Sequence, residues 1–141
     1  MATAFSVITD STVVPTANRV GDTFTARGEF SLAAALVIND TIDLVTVPAG
    51  HFVTDAVLIS DDLDTGTGIT LDVGIKAGDT DQFFAASTVA QAGGVVRPTL
   101  ATAFRDVATS ANRVVQLLVK AGPTTGATSG KITLLVSYRA K

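Results

Sequence analysis

Between two turns rich in Gly and Asp, the chain places Ile69, Leu71, Val73 and Ile75 on one parity and Thr70, Asp72, Gly74 and Lys76 on the other. Side chains of an extended strand point alternately to opposite faces. A strict two-residue period therefore predicts a strand with one face in a core and the other outside, and it rules out an amphipathic helix there. A second apolar run, Phe52 to Ile59, comes before it across an Asp/Gly/Thr turn, and the two runs together predict a central hairpin.

The same grammar recurs along the chain. Turn signals at 18–22, 39–40, 48–50, 64–68, 77–81, 93–94, 122–123 and 129–130 separate short runs rich in Val, Ile, Thr, Leu and Phe. Those runs predict strands over Phe5 to Thr9, Phe24 to Phe30, Ser31 to Ile38 (with a helical turn over Leu32 to Leu36 as the alternative), Thr41 to Val47, Ala101 to Val107, Arg113 to Lys120 and Lys131 to Arg139. The last is cleanly patterned, with Ile132, Leu134, Val136 and Tyr138 on one face. Many short strands at this spacing predict an all-β fold, an antiparallel β-sandwich of jelly-roll type. One short helix is expected over Gln82 to Gln91, capped by the Asp81 carboxylate and anchored through Phe83 or Phe84.

A chain of 141 residues is long enough to bury one core without staples, and it contains no cysteine. No disulfide, thiolate metal site or cysteine nucleophile is therefore available, which suits a reducing compartment. Residues 21–141 are expected to form one sandwich domain, and residues 1–20 an N-terminal arm or first strand. If they form an arm, Phe5, Val7 and Ile8 are its candidate interaction residues, adding a strand to a neighbour's sheet edge.

Only 16% of residues are charged, against about 25% in average soluble domains. Threonine, roughly one residue in seven, fills positions where Lys and Glu usually stand. Such an exterior is one that neighbouring subunits cover, and it predicts a homo-oligomer. The net charge of −3 lacks the basic footprint of a nucleic-acid binder. The longest apolar run, Leu32 to Ile38, is far short of the roughly 20 residues needed to span a bilayer. No membrane partner is expected, and the N-terminal residues lack the basic region of an export signal.

Catalytic chemistry has little to work with. His51 is the single histidine and cannot build a histidine metal site, and Glu29 is the single glutamate. P-loop, nucleophile-elbow and zincin motifs are missing. With no Trp and one Tyr, aromatic platforms for glycans or single strands are disfavoured. The acidic clusters Asp61, Asp62 and Asp64, and Asp79 and Asp81, are weak calcium candidates, because closely spaced carboxylates supply oxygen ligands. Asp beside Gly is equally the chemistry of tight turns. The six arginines are dispersed, and most of them read as surface or inter-subunit pairs. The chain is expected to be no enzyme and to need no cofactor.

The succession from Ile42 onward carries a family resemblance. A strand ends in Pro48-Ala49-Gly50, an apolar strand and an Asp/Gly/Thr turn follow, and then Thr70-Leu71-Asp72-Val73-Gly74, an Asp-rich turn and a Phe-containing segment ending in Gly. With the closing run from Gly130 to Lys141, this resembles small virion structural proteins of tailed bacteriophages over about two thirds of the chain. The resemblance implies a non-enzymatic component of the particle. A capsid decoration (cement) protein fits the size best. It would assemble in the host cytoplasm on the head surface, with the major capsid protein as partner and a trimer matching local three-fold positions. Tail, baseplate or fibre components remain open alternatives, as does a receptor- or glycan-binding sandwich.

Overall fold

The computed structural model describes residues 2–6 and 21–141. Among the described residues nine strands build two facing sheets: β1 (Ala4–Ser6), β2 (Thr23–Ser31), β3 (Thr41–Val47), β4 (His51–Ser60), β5 (Thr70–Ile75), β6 (Phe84–Ser87), β7 (Gly94–Val96), β8 (Arg113–Ala121) and β9 (Lys131–Ala140). The first sheet has the order β1-β3-β8-β5-β6 and the second β2-β9-β4-β7. All pairings are antiparallel except β1 with β3. The all-β sandwich expected from the periodicity is the fold observed.

The alternation of β9 explains its central place. Ile132, Leu134, Val136 and Tyr138 are fully buried, and β9 pairs along its length with β2 on one side and β4 on the other. Across the core they face Ile42, Leu71, Val73, Leu117 and Val119 of the other sheet, all at most 1% exposed. Each such side chain stabilises the fold by about 1.5–3 kcal/mol through removal from water.

Several expectations are corrected. First, β4 and β5 do not form a hairpin: they belong to different sheets. Their apolar faces meet across the core, which a flat hairpin would place side by side, and β4 takes β9 and β7 as its partners instead. Second, the helix over 82–91 is largely absent, and Phe84–Ser87 is the edge strand β6, followed by a 3-10 turn at Val89–Gln91. Both Phe83 and Phe84 are buried, and the backbone N–H of Phe83 bonds to the Val73 carbonyl, so sheet pairing wins over the Asp81 cap. The one α-helical turn among the described residues, α1 (Ala101–Phe104), falls where a strand was expected over Ala101 to Val107. Third, the Ser31 to Ile38 run is strand only at Ser31, and its apolar residues Leu32 and Leu36 plug the core from a loop.

β5 also departs from the one-face-out reading, because Asp72 and Gly74 are buried as well. The 76–86 excursion folds back over this side: the backbone N–H of Ala86 bonds to Asp72 Oδ1 at 2.7 Å, and a Cβ on Gly74 would come within 2.2 Å of the Asp79 carbonyl oxygen. Where the two sheets close on each other at β2 and β3, Gly28 allows similar intimacy, since a Cβ there would meet Leu44 O at 2.1 Å. Both neighbours are backbone and cannot swing away. Gly28→Ala is expected to cost about 1–3 kcal/mol as overpacking, read from urea unfolding midpoints.

Candidate assembly surface

The residues singled out from the sequence are distributed rather than convergent. Phe5 lies on β1, beside Ile42 in register, and its ring packs 5.0 Å from that of Phe30. Val7 and Ile8 lie outside the described residues. β1 is tied to its own sandwich by Asp40, a buried side chain that accepts from the N–H of Thr3 at 2.7 Å and of Val37 at 2.8 Å. His51 is buried at the start of β4, with Nδ1 3.0 Å from the Ala49 carbonyl and its ring edge-on to Tyr138. Burial raises the Tyr138 hydroxyl above its ordinary value.

The first acidic cluster resolves into turn chemistry centred on Asp64, which is 1% exposed. Its Oδ1 accepts from the N–H groups of Gly66 (2.9 Å) and Thr125 (3.0 Å). Its Oδ2 accepts from Gly68 (2.8 Å), Ile69 (3.0 Å) and Thr124 (3.0 Å). Burial alone would raise this carboxyl, but the N–H bonds from Thr125, Thr124, Gly66 and Ile69 outweigh it and hold the group well below the ordinary carboxylate range. Five donors occupy the lone pairs that a cation would need. Asp61 Oδ2 accepts from the Lys131 N–H and Asp62 Oδ1 from the Asp64 N–H. In the second cluster a side-chain hydrogen bond with Asp81, then burial, raises Asp79. Among the described residues no three His, Cys, Asp or Glu side chains come together as a metal-binding group.

Sequence reasoning missed one node entirely. Asp106, in the connection after α1, and Arg113, opening β8, form a bidentate ion pair at 2.7 and 2.9 Å, with side chains 2% and 11% exposed. Asp106 also accepts from the Val53 N–H at 2.7 Å and from Gln82 Nε2 at 2.9 Å, and Arg113 donates to the His51 carbonyl. Burial pushes the Asp106 carboxyl up, while Arg113, the Val53 N–H and Gln82 pull it further down, leaving it below its ordinary value. The node pins the 97–112 connection, which carries the exposed Phe104 and Val107, onto β4, β8 and the turn before β6. Only the seven-residue spacing of opposite charges hinted at it.

Two shallow pockets are small for an organic ligand. One, about 120 Å3, lies between the edges β6 and β7 and is lined by Phe83, Phe84, Val96 and Leu100 with Arg97 at its rim. The other, about 180 Å3, lies between Phe52 and Val107. Ligand sites are usually about 300–1,000 Å3. The first has Arg97 as its one ionisable lining residue; the second has Asp106 and Lys141, and the Asp106 carboxylate is already engaged by Arg113.

The outer faces of the sheets differ in kind. On the β1-β3-β8-β5-β6 face, Asp43 accepts from Lys76 Nζ at 2.7 Å and Gln116 Nε2 at 2.8 Å, and the 76–86 excursion covers β5. On the β2-β9-β4-β7 face, register places Arg27, Leu135 and Val57 in one row and Glu29, Thr133, Ile59 and Val95 in the next. Val57, Ile59 and Leu135 are half-buried, while Val95 is 66% exposed. Around this apolar island stand the pairs Arg27–Glu29, Lys131–Glu29 and Arg97–Asp55, and Arg139 lies over the Phe52 ring.

Comparison with known proteins places this architecture. No protein-family model and no curated protein matches the chain. Among solved structures, a chain in the capsid of Ralstonia phage GP4 is 39% identical, with a TM-score of 0.85, over 92% of this chain and 91% of that one. A chain in the capsid asymmetric unit of cyanophage Pam1 is 26% identical, with a TM-score of 0.72, over 92% of both. A chain in the acid-stable capsid of Helicobacter pylori bacteriophage KHP30 shares the fold, with a TM-score of 0.59 at 19% identity over 85% of this chain and 89% of that one. With the sandwich, its closed core and more than a third of the residues matched to the phage GP4 chain nearly end to end, the chain belongs to the family of small β-sandwich structural proteins of bacteriophage virions.

Proposed function

We propose that the protein is a capsid decoration (cement) protein that binds the outside of the head shell as an oligomer, a trimer at local three-fold positions, with the major capsid protein as its partner. The observation that carries this reading is the 39% identity, over nine-tenths of both chains, to a chain of a phage capsid. The low charge fraction and the shallow pockets support a role without catalysis. The mechanism is mass action: a subunit that binds only the assembled lattice stabilises it by RT ln(1 + [L]/Kd), about 2.7 kcal/mol at a hundredfold excess over Kd. Several such contacts per oligomer multiply through effective concentration.

Cryo-electron microscopy of purified virions tests the reading. Density for this fold on the outer head surface in three-fold groups is expected, together with heads that rupture at lower temperature when the protein is omitted. Density confined to the tail or baseplate would overturn the proposal while leaving the family assignment intact.

A further inference from the structure

The β2-β9-β4-β7 sheet leaves its outer face open among the described residues, and its pattern is unusual for a solvent face. Antiparallel sheets ordinarily alternate apolar inward with polar outward. Here the two central strands turn Val57, Ile59 and Leu135 outward, and the edge strand adds Val95 beside Ile59. Four cations, Arg27, Arg97, Lys131 and Arg139, frame this island against two carboxylates, Glu29 and Asp55, in a chain whose net charge is −3. An apolar centre within a charged rim is the anatomy of a protein interface.

We propose that this face is the surface that docks onto the capsid shell, and that it fits an acidic protein surface presenting an apolar patch. The inference rests on the decoration reading and assigns which side of the sandwich meets the shell. Charge selects the occupant. Two copies pairing through the same face would set a net charge of +2 (four cations less two carboxylates) against another +2, a like-charge arrangement that costs affinity. The opposite sheet is the poorer candidate, because its β5 side is already covered by residues 76–86 of the same chain. The docking face is also rigid, since β4 and β9 are long central strands paired nearly end to end, so little ordering entropy is lost on binding. Three strands of nine or ten residues and the three-residue β7, about 4.8 Å apart, give a footprint of roughly 500 Å2, under the ~800 Å2 per partner of a stand-alone complex. Single copies therefore bind weakly, and an oligomer binds through several such faces at once.

Expanded shells assembled without this protein, mixed with the full chain and sedimented, provide the test. Val95→Glu and Leu135→Glu place a carboxylate in the island, and Lys120→Glu adds negative charge on the opposite face as a control. Val95→Glu and Leu135→Glu are each expected to weaken shell binding at least about tenfold, and Lys120→Glu by no more than about twofold. Wild-type binding should weaken as salt rises from 50 to 300 mM. Should Leu135→Glu fail to fold, Val95→Glu, at an exposed position of a three-residue edge strand, decides alone. Wild-type affinity in a folded Val95→Glu variant would show that another surface docks, with the decoration reading still standing. No binding by the wild-type chain would remove both. A variant that lowers the free protein's mass in light scattering but keeps its shell affinity would make the face a contact between copies, and would overturn the proposal.

Discussion

Asp106→Ala is expected to lower the unfolding free energy by about 3–5 kcal/mol, because it strands the Arg113 guanidinium in a site that is 11% exposed. The Val53 N–H loses its acceptor at the same time, and Gln82 Nε2 keeps only the Thr102 carbonyl at 3.4 Å. Urea unfolding at neutral pH measures the loss. The paired replacement Asp106→Leu with Arg113→Met removes both charges and is expected to lie closer to wild type than either single change. That ordering separates a buried pair from a surface one: a solvated pair would lose less than about 1 kcal/mol on either single change.

Asp64→Asn produces the second large effect. The substitution keeps the shape but turns one carboxylate oxygen into an NH2 group, which then faces two or three backbone N–H donors. Thermal unfolding should show a larger loss for Asp64→Asn than for Asp61→Asn, whose Oδ2 accepts a single backbone bond from Lys131. The pH dependence carries its own signature. The folded carboxyl titrates below the unfolded value of 3.8, so the unfolded chain binds more protons in the interval between them. Stability from Asp64 is therefore fully present above the unfolded value and lost as pH falls toward the folded one. A stability profile from pH 5 to pH 2 should fall in the wild type, and its slope should be shallower in Asp64→Asn. Equal slopes would show that the five N–H bonds do not hold the charge.

The sheet architecture was legible wherever burial is one-sided. Alternation in β9 revealed both its strand and its inward face, because there the period of two maps directly onto core and exterior. It failed at β5, where the polar parity is also covered, and periodicity cannot distinguish solvent from a folded-back loop. Pairing partners were less legible still. The Phe52 to Ile59 and Ile69 to Ile75 runs adjoin in sequence and look like a hairpin, but the nine residues between them let the chain cross to the other sheet, with Asp64 fastening the crossing. The helix expected over 82–91 failed for a related reason: local capping at Asp81 competed with sheet pairing by two buried phenylalanines, and tertiary burial won. Asp64 was noticed as part of an acidic cluster, yet its donors at 124–125 lie some sixty residues away. Asp106 and Arg113 gave no signal beyond type and spacing. The outward Val57, Ile59, Leu135 and Val95 were visible as residues but not as a patch, since the patch exists only once β4, β9 and β7 are in register.

The position of β9 between β2 and β4 governs the order of events during synthesis. Its sheet has no middle until residues 131–140 have emerged from the ribosome, so β2 and β4 must wait with the edges that flank β9 unpaired while residues 61–130 are made. Nascent chains halted before residue 131 should bind chaperones and yield to protease, and release of the complete strand should close the sandwich in one cooperative step.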